Sequence, residues 1–219
     1  MPVGALQSPA MHANPRKTSS VRRLGGVDIA TLREAVLAIP ETVWDAENEG
    51  KPNRFAALGE TRHIVFRFVR SLTDWRTSDQ RPLWQAWQPI LDPVLQQATS
   101  AYGYARGAFP RVMLARMPPG GLIAPHRDGH PAAQWPHKIH VPLVTNAAVD
   151  FFVDGVHVRL DEGEAVEINN LGVHAAANRS TSDHIHLIFE YVDLDQPDPD
   201  WIEPLVASDG ERGDPTSAV

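Results

Sequence analysis

The second half of the chain is a series of short β-rich segments separated by tight-turn sequences. Residues of high strand propensity, mainly Val, Ile, Leu and Phe, fill the segments 111–117, 138–145, 151–153, 156–160, 165–168 and 185–192. Pro-Pro-Gly-Gly at 118–121 and Glu-Gly at 162–163 are typical of turns. Asp154-Gly155 predicts a two-residue hairpin between its flanking segments. Many short strands with such turns predict a mainly β fold, either a sandwich or a jelly-roll barrel.

The first half predicts helices that would pack on this β structure. Apolar residues at helical spacing follow Asp28, which can cap a helix, and Pro40 would end it. Residues 46–61 are polar and contain Gly, so we expect a loop there. Residues 63–69 are predicted to form a strand.

An apolar helical stripe also runs through residues 83–98. Pro89 and Pro93 interrupt this stripe, and a proline removes a helical hydrogen bond. The pattern therefore predicts either two short helices or one kinked helix.

These patterns suggest a three-part organisation of the 219 residues. Residues 1–22 lack periodicity and are expected to form a mobile tail. One domain is expected over 23–195, with a helical layer at about 28–100 and a barrel at about 109–193. The Pro- and Asp-rich residues 196–219 are expected to be extended or mobile.

Composition excludes several classes of protein. The formal net charge of -7 argues against a nucleic-acid-binding body, which needs a basic surface. The chain has no cysteine, so a metal would have to bind to His, Asp or Glu. No apolar run approaches the ~20 residues that span a bilayer, and the N-terminus lacks the apolar core of a signal peptide. We therefore expect a cytoplasmic protein with no membrane or nucleic-acid partner.

Histidines are concentrated in the β-rich half. Eight of the ten histidines lie between His126 and His186. Because residues i and i+2 of an extended segment point the same way, His126 and Asp128 can converge on one point. With His174, which follows a polar turn, they match the two-histidine, one-carboxylate triad of non-haem Fe(II) oxygenases. The spacing alone also fits a polar loop before a strand, so it leaves both interpretations open.

A longer run of motifs resembles a known family. The residues concerned are Met-Pro-Pro-Gly-Gly at 117–121, Pro-His-Arg-Asp at 125–128, Lys-Ile-His-Val-Pro-Leu at 138–143, Thr-Asn at 145–146, Gly-Glu at 163–164, His174, Asn178, and Ile-His-Leu-Ile-Phe at 185–189. In this order they resemble the aspartyl/asparaginyl β-hydroxylase family, and within it the bacterial free-amino-acid hydroxylases such as the proline hydroxylases.

The resemblance implies a double-stranded β-helix fold and an enzyme that uses Fe(II) and 2-oxoglutarate. Such enzymes hydroxylate a C–H bond with O2 and release succinate and CO2. Carried over residue by residue, it implies that His126, Asp128 and His174 bind the iron and are the catalytic residues. The carboxylate at the second position is present here, as in the free-amino-acid hydroxylases.

The resemblance also implies binding residues for 2-oxoglutarate. Lys138 and His140 stand where the family places such residues, and as i and i+2 on one strand they share a face. Ten positions after His174 the family has an arginine that binds the far carboxylate, whereas this chain has His184. Arginine is permanently charged and histidine is not. We expect Lys138 to carry the main positive charge and His184 to add a hydrogen bond.

The predicted function is hydroxylation of a small polar substrate, either a free amino acid or an amino-acid residue in a peptide. Two alternatives use the same three ligands. One is a cupin-like zinc or manganese enzyme, an isomerase or hydrolase; the other is a sensor that binds 2-oxoglutarate and metal without turnover. The sensor alternative stays open because His184 stands where the family has an arginine.

Overall fold

The computed structural model describes residue 17 and residues 19–196. Over residues 19–196 the chain forms four α-helices and twelve β-strands. The helices are α1 (Ala30–Leu37), α2 (Glu41–Glu49), α3 (Trp84–Thr99) and α4 (Pro131–Gln134). The strands are β1 (Val21–Gly26), β2 (Arg62–Ser71), β3 (Asp74–Gln80), β4 (Gly107–Ala108), β5 (Val112–Met117), β6 (Leu122–His126), β7 (His137–Val144), β8 (Val149–Val153), β9 (Val156–His157), β10 (Glu164–Ile168), β11 (His174–Asn178) and β12 (His184–Asp193).

The strands form two antiparallel sheets. In the described part of the chain, the larger sheet has the order β1-β10-β7-β12-β5-β2-β3, with β4 pairing to β12. The smaller sheet has the order β6-β11-β8-β9. Neighbours in each sheet are mostly far apart in sequence, so the register depends on long-range pairing. This is the arrangement of a jelly roll.

Helices α1, α2 and α3 cover one face of the larger sheet. Leu32 of α1 and Leu95 of α3 are buried in one apolar cluster with Ile64, Leu114 and Leu187 of the sheet. On β12 the residues of this cluster are every second one, as expected for a strand with two different faces. The other face of the larger sheet therefore points away from these three helices.

That second face meets the smaller sheet. Met117 and Ile168 of the larger sheet share an apolar cluster with Phe151, Val153 and Ala176 of the smaller one. The two sheets thus enclose a barrel interior between them. The prediction of a mainly β, jelly-roll fold with a helical layer is confirmed.

Most predicted strands are present with small differences at their ends. The hairpin at Asp154-Gly155 is confirmed, because β8 and β9 pair Val153 with Val156. Both turn residues have positive φ, 50° at Asp154 and 77° at Gly155, which is the conformation this hairpin requires. The segment 156–160 is shorter than predicted, since β9 ends at His157. Strands β1, β3, β4, β6 and β11 were not predicted.

The helical predictions need one correction. Helix α1 is confirmed, and the Oδ1 atom of Asp28 accepts the Ala30 N–H over 3.0 Å. The expected loop at 46–61 is wrong at its start, because α2 continues to Glu49; its buried Trp44 anchors this polar helix. Pro89 and Pro93 lie inside the single helix α3, so the alternative of one helix holds and that of two short helices does not. The apolar stripe that α3 buries outweighs the missing hydrogen bonds.

The expected N-terminal tail falls mostly outside the described residues. Val21 and Arg22 belong to β1, which pairs with β10, so this part of the expectation is wrong. Edge pairing with β10 orders a segment whose own pattern carries no strand signal. The rest of the division into tails and one domain stays a prediction, and residues 197–219 lie outside the described part. No helix among the described residues is long and apolar enough to span a membrane.

Candidate metal centre

Two adjacent strands of the smaller sheet bring the predicted triad together. His126 ends β6 and His174 begins β11, and these residues are direct partners in the antiparallel pair. Their ring centroids are 4.2 Å apart. Asp128 lies just beyond β6, where its backbone N–H donates to the Asn170 carbonyl over 2.9 Å. The polar turn before β11 therefore holds the chain that carries the carboxylate.

The side chains of these three residues converge on one point. One ligand atom from each of His126, Asp128 and His174 lies within 4.8 Å of the others. His126 Nε2 is 4.0 Å from Asp128 Oδ1. Two imidazoles and one carboxylate in this arrangement are a donor set suited to Fe(II).

Both histidines are held in the tautomer that a metal ligand needs. The Nδ1 atom of His126 lies 2.9 Å from the Ala124 carbonyl oxygen, and that of His174 lies 3.1 Å from the Gly172 carbonyl oxygen. A carbonyl oxygen only accepts, so each Nδ1 carries the proton. Each Nε2 then presents a lone pair, as in histidine ligands whose second nitrogen is hydrogen-bonded. Burial also lowers the pKa of His174 to about 4, which keeps the ring neutral.

The carboxylate ligand is kept ionised by a lysine. Burial by itself would raise the pKa of Asp128, but the Lys138 ammonium overrides this effect and holds the pKa well below its usual range. Lys138 Nζ donates to Asp128 Oδ2 over 2.6 Å. The second oxygen, Oδ1, is the one that faces His126. Asp128 thus offers one oxygen to the triad and one to Lys138.

The residues predicted to bind 2-oxoglutarate all lie on the larger sheet, on the face that lines the barrel interior. Lys138 and His140 are on β7, and His184 is at the start of β12. Lys138 contacts the triad carboxylate directly, whereas His140 and His184 are buried and neutral. Burial lowers the pKa of His184 to about 4 and that of His140 well below its ordinary value. Their roles in binding stay predictions.

Sequence reasoning missed several polar residues of this interior. His186 is two residues after His184, so strand alternation alone places it on the same face. Glu190 also shares that face and is the register partner of Lys138. Its carboxylate forms a buried ion pair with Arg111, whose Nη1 atom is 2.8 Å from Glu190 Oε1. Arg111 precedes β5, and only the sheet order could have shown that it reaches Glu190.

A protein-family model matches the part of the chain that contains this site. The model of the family described as aspartyl/asparaginyl β-hydroxylase matches residues 89–193, which contain the triad, Lys138, His140 and His184. Residues 89–193 are therefore similar in sequence to the aspartyl/asparaginyl β-hydroxylase family, as the motifs imply. The predicted enzyme class, a 2-oxoglutarate-dependent dioxygenase, is thereby confirmed. A search of curated proteins found no sequence match.

Solved structures show the same fold at low sequence identity. An oxidoreductase of the 2OG-Fe(II) oxygenase family from Burkholderia pseudomallei aligns with a TM-score of 0.54 and 12% identity, over 80% of this chain and 84% of that one. The viral collagen prolyl hydroxylase from Paramecium Bursaria Chlorella virus-1 gives 0.50 and 11%, over 81% and 98%. The carbocyclase SnoK from nogalamycin biosynthesis gives 0.52 and 16%, over 81% of each chain. At such low sequence identities, these alignments show that the folds are alike.

Proposed function

We propose that this chain hydroxylates a small polar substrate, a free amino acid or an amino-acid residue in a peptide. Fe(II) would be held by His126, Asp128 and His174, and 2-oxoglutarate would be the co-substrate. The observation that carries the proposal is the tautomer arrangement of the triad. Two Nε2 lone pairs, one of them on the buried His174, converge with one carboxylate oxygen, and backbone carbonyls fix both rings.

The residues of this site fit both Fe(II) and 2-oxoglutarate. The donor set contains no thiolate and leaves coordination positions for other ligands, as a facial triad does. When bound there, Fe(II) would supply the activation of O2 that is coupled to oxidative decarboxylation of 2-oxoglutarate to succinate and CO2. Next to the triad, the interior carries the Lys138 ammonium and several buried histidine nitrogens without partners. The ammonium group, and those ring nitrogens that carry a proton, are donors that suit a co-substrate rich in carboxylate oxygens.

The protein's own contribution is orientation and protection from water. Lys138 fixes the Oδ2 atom of Asp128, which leaves Oδ1 directed toward His126. Apolar residues of both sheets, including Met117 and Phe151, pack together between the sheets. Apolar packing of this kind limits the access of water and strengthens electrostatic interactions beside it.

Charged residues near the triad support a zwitterionic or otherwise polar substrate. The Arg111–Glu190 pair is connected to the centre in two ways: Glu190 lies beside Lys138 in the sheet, and Arg111 Nη1 is 3.4 Å from His130 Nε2. Arg111 Nε and Nη2 and Glu190 Oε2 are buried without a hydrogen-bond partner. A carboxylate and an ammonium group of one small molecule would satisfy such atoms.

Turnover and product analysis test this proposal together. Purified protein reconstituted anaerobically with Fe(II) is given 2-oxoglutarate, O2 and a cell extract. We expect succinate formation that depends on the extract and one metabolite or peptide that gains a single oxygen atom. His174→Ala is the matched inactive control. Absence of succinate under every condition would contradict the proposal.

A further inference from the structure

The turn before β11 is hydrogen-bonded to two of the three candidate metal ligands. It comprises residues 169–172, which we call the asparagine turn, and His174 follows it closely in the chain. The Asn170 carbonyl of this turn accepts the Asp128 N–H over 2.9 Å. The Gly172 carbonyl oxygen lies 3.1 Å from His174 Nδ1. A shift of the asparagine turn therefore moves both the carboxylate and one imidazole of the triad.

The N-terminal segment, by which we mean Lys17 and residues 19–20, holds the first residue of the asparagine turn. The Asn169 N–H donates to the Ser20 carbonyl over 2.9 Å, and Asn169 Nδ2 donates to the Lys17 carbonyl over 3.3 Å. Within the turn, the Oδ1 atom of Asn169 accepts the Leu171 N–H over 3.1 Å. Asn169 is thus bound to the N-terminal segment by both its backbone and its side chain.

The side chain of Lys17 binds the second residue of the asparagine turn. Its Nζ atom donates to Asn170 Oδ1, and also to the Ala133 carbonyl of α4 over 3.4 Å. Asn170 Nδ2 donates to the same carbonyl over 3.0 Å. Asn170 is fully buried, and only 8% of Lys17 is exposed. These contacts, which we call the lysine clamp, tie the asparagine turn to the helix that follows the loop with Asp128.

Carboxylates offset the cost of burying this ammonium group. Burial lowers the pKa of Lys17 to about 8, although Glu190, Glu167 and Asp128 act in the opposite direction. Among these carboxylates, Glu190 and Glu167 act more strongly than Asp128. The charge of Lys17 is therefore balanced mainly by residues outside the triad, as a buried charge requires. The lysine reaches the triad through the hydrogen bonds of Asn170.

We propose that Lys17 is a positioning residue of the metal centre: the lysine clamp fixes the asparagine turn and thereby holds Asp128 and His174 in the geometry that binds Fe(II). This inference rests on the proposed function. Lys17 falls in the range 1–22 for which the sequence predicts a mobile tail, and the inference makes it part of the site. The lysine acts through Asn170 and has no need to touch the metal.

A positioning role couples metal binding to closure of the lysine clamp. Loss of a group that hydrogen-bonds a metal ligand typically costs about 10- to 100-fold in metal affinity. Because Lys17 acts one residue further back, through Asn170, we expect the lower end of this range, about tenfold. Coupling between two equilibria is reciprocal, so bound Fe(II) should make release of Lys17 from the turn about tenfold rarer.

Chemical labelling of the wild type measures this coupling without any variant. The chain has three lysines, Lys17, Lys51 and Lys138. A buried amine reacts with an acetylating reagent only when local opening exposes it. We expect saturating Fe(II), added anaerobically, to slow the acetylation of Lys17 about tenfold, as read by peptide mass spectrometry. Lys51, which donates to the Thr61 carbonyl over 3.0 Å, is the internal control and should keep its rate.

Variants identify the hydrogen bonds responsible. Lys17→Met removes the ammonium group at nearly the same side-chain length, and we expect Fe(II) affinity to fall about tenfold in anaerobic titrations. Loss of a cation by itself favours binding of a metal cation, so a decrease has the sign of lost positioning. Asn170→Ala removes the acceptor without a change of charge and should have a similar effect. In the double variant the two losses should not add, because both break the same clamp.

Arg23→Met is the matched control for the lost charge. Arg23 lies on β1 and binds Glu164 and the Arg159 carbonyl, both outside the asparagine turn. Half of its side chain is exposed, so solvent screens its charge. Fe(II) affinity should therefore equal that of the wild type. Circular dichroism of each metal-free variant verifies that the fold is retained.

The possible failures are distinguishable. Acetylation of Lys17 at a rate independent of bound Fe(II), or a folded Lys17→Met variant that binds Fe(II) as tightly as Arg23→Met, overturns the inference and leaves the proposed function standing. If the wild type does not bind Fe(II), both are overturned. The acetylation rates are measured on the wild type, so a folding defect in a variant cannot mask the answer.

Discussion

The ammonium group of Lys138 donates to the Oδ2 atom of Asp128 over 2.6 Å, and so joins the larger sheet to the candidate metal ligand. The sequence predicts Lys138 as a residue for 2-oxoglutarate. In the structure, the lysine holds the second oxygen of a carboxylate whose first oxygen faces His126. Lys138 therefore acts first on the orientation and charge of Asp128.

Replacement of Lys138 should weaken metal binding even without co-substrate. We expect Lys138→Met to reduce Fe(II) affinity about 10- to 100-fold, as is typical when a residue that hydrogen-bonds a metal ligand is lost. Anaerobic Fe(II) titration without 2-oxoglutarate measures this effect. Lys138→Arg keeps a donor and should lose less. Unchanged affinity in Lys138→Met would mean that the lysine leaves Asp128 when metal binds.

The triad itself should be indispensable for stoichiometric iron binding. His126→Ala and His174→Ala each leave two ligands, so we expect both to lose stoichiometric Fe(II). Asp128→Ala should weaken iron binding and turnover, and it also leaves Lys138 without its partner carboxylate. Metal analysis after anaerobic reconstitution and succinate assays measure these losses. His157→Ala is the histidine control, and wild-type iron content in both triad histidine variants would refute the assignment.

Removal of only one partner of the buried Arg111–Glu190 pair should strongly destabilise the folded protein. Both side chains are almost fully buried, with 5% and 1% exposed. Glu190→Gln leaves the guanidinium uncompensated, so we expect a loss of about 3–5 kcal/mol in the free energy of unfolding. Denaturant unfolding measures it.

An exposed ion pair provides the matched comparison for that experiment. Arg106 and Asp195 are 2.9 Å apart, with 67% and 44% of their side chains exposed. Asp195→Asn should therefore change the free energy of unfolding by less than about 1 kcal/mol. Equal effects of the two substitutions would show that the interior pair is solvated.

Acid should destabilise the metal-free protein because its histidines are buried in the neutral form. Burial lowers the pKa of His63 to about 3 and that of His184 to about 4, both below the ordinary value of 6.5. The unfolded state therefore binds more protons below pH 6.5, and stability falls as the pH decreases from 6.5 toward 4. Each such histidine contributes up to about 1.4 kcal/mol per pH unit.

Unfolding curves between pH 7 and pH 4 measure this slope. His63→Gln should make the slope shallower, since one buried histidine no longer titrates. The exposed-histidine variant His157→Gln should keep the wild-type slope. A wild-type stability independent of pH over this range would contradict the burial of neutral histidines.

Local sequence signals predict many of the strands, one hairpin and the candidate metal ligands. Strand propensity and turns predicted a mainly β fold, either a sandwich or a jelly roll, and Asp154-Gly155 predicted one hairpin, because such signals act over a few residues. Alternation along strands placed Lys138 with His140 on one face and would have placed His184 with His186. The triad residues were also identified from spacing and motif, since a metal requires donors of definite type.

Only the tertiary structure decided which of these residues touch. His126 and His174 meet because β6 pairs with β11, and His140 meets His186 because β7 pairs with β12. The same strand order brings Lys138 beside Glu190 and places His63 in the row that contains His186. A strand's sequence specifies which residues face the interior, whereas its neighbour and register are set by the burial of the whole sheet. Hence the candidate ligands could be predicted from sequence, and the charge balance around them could not.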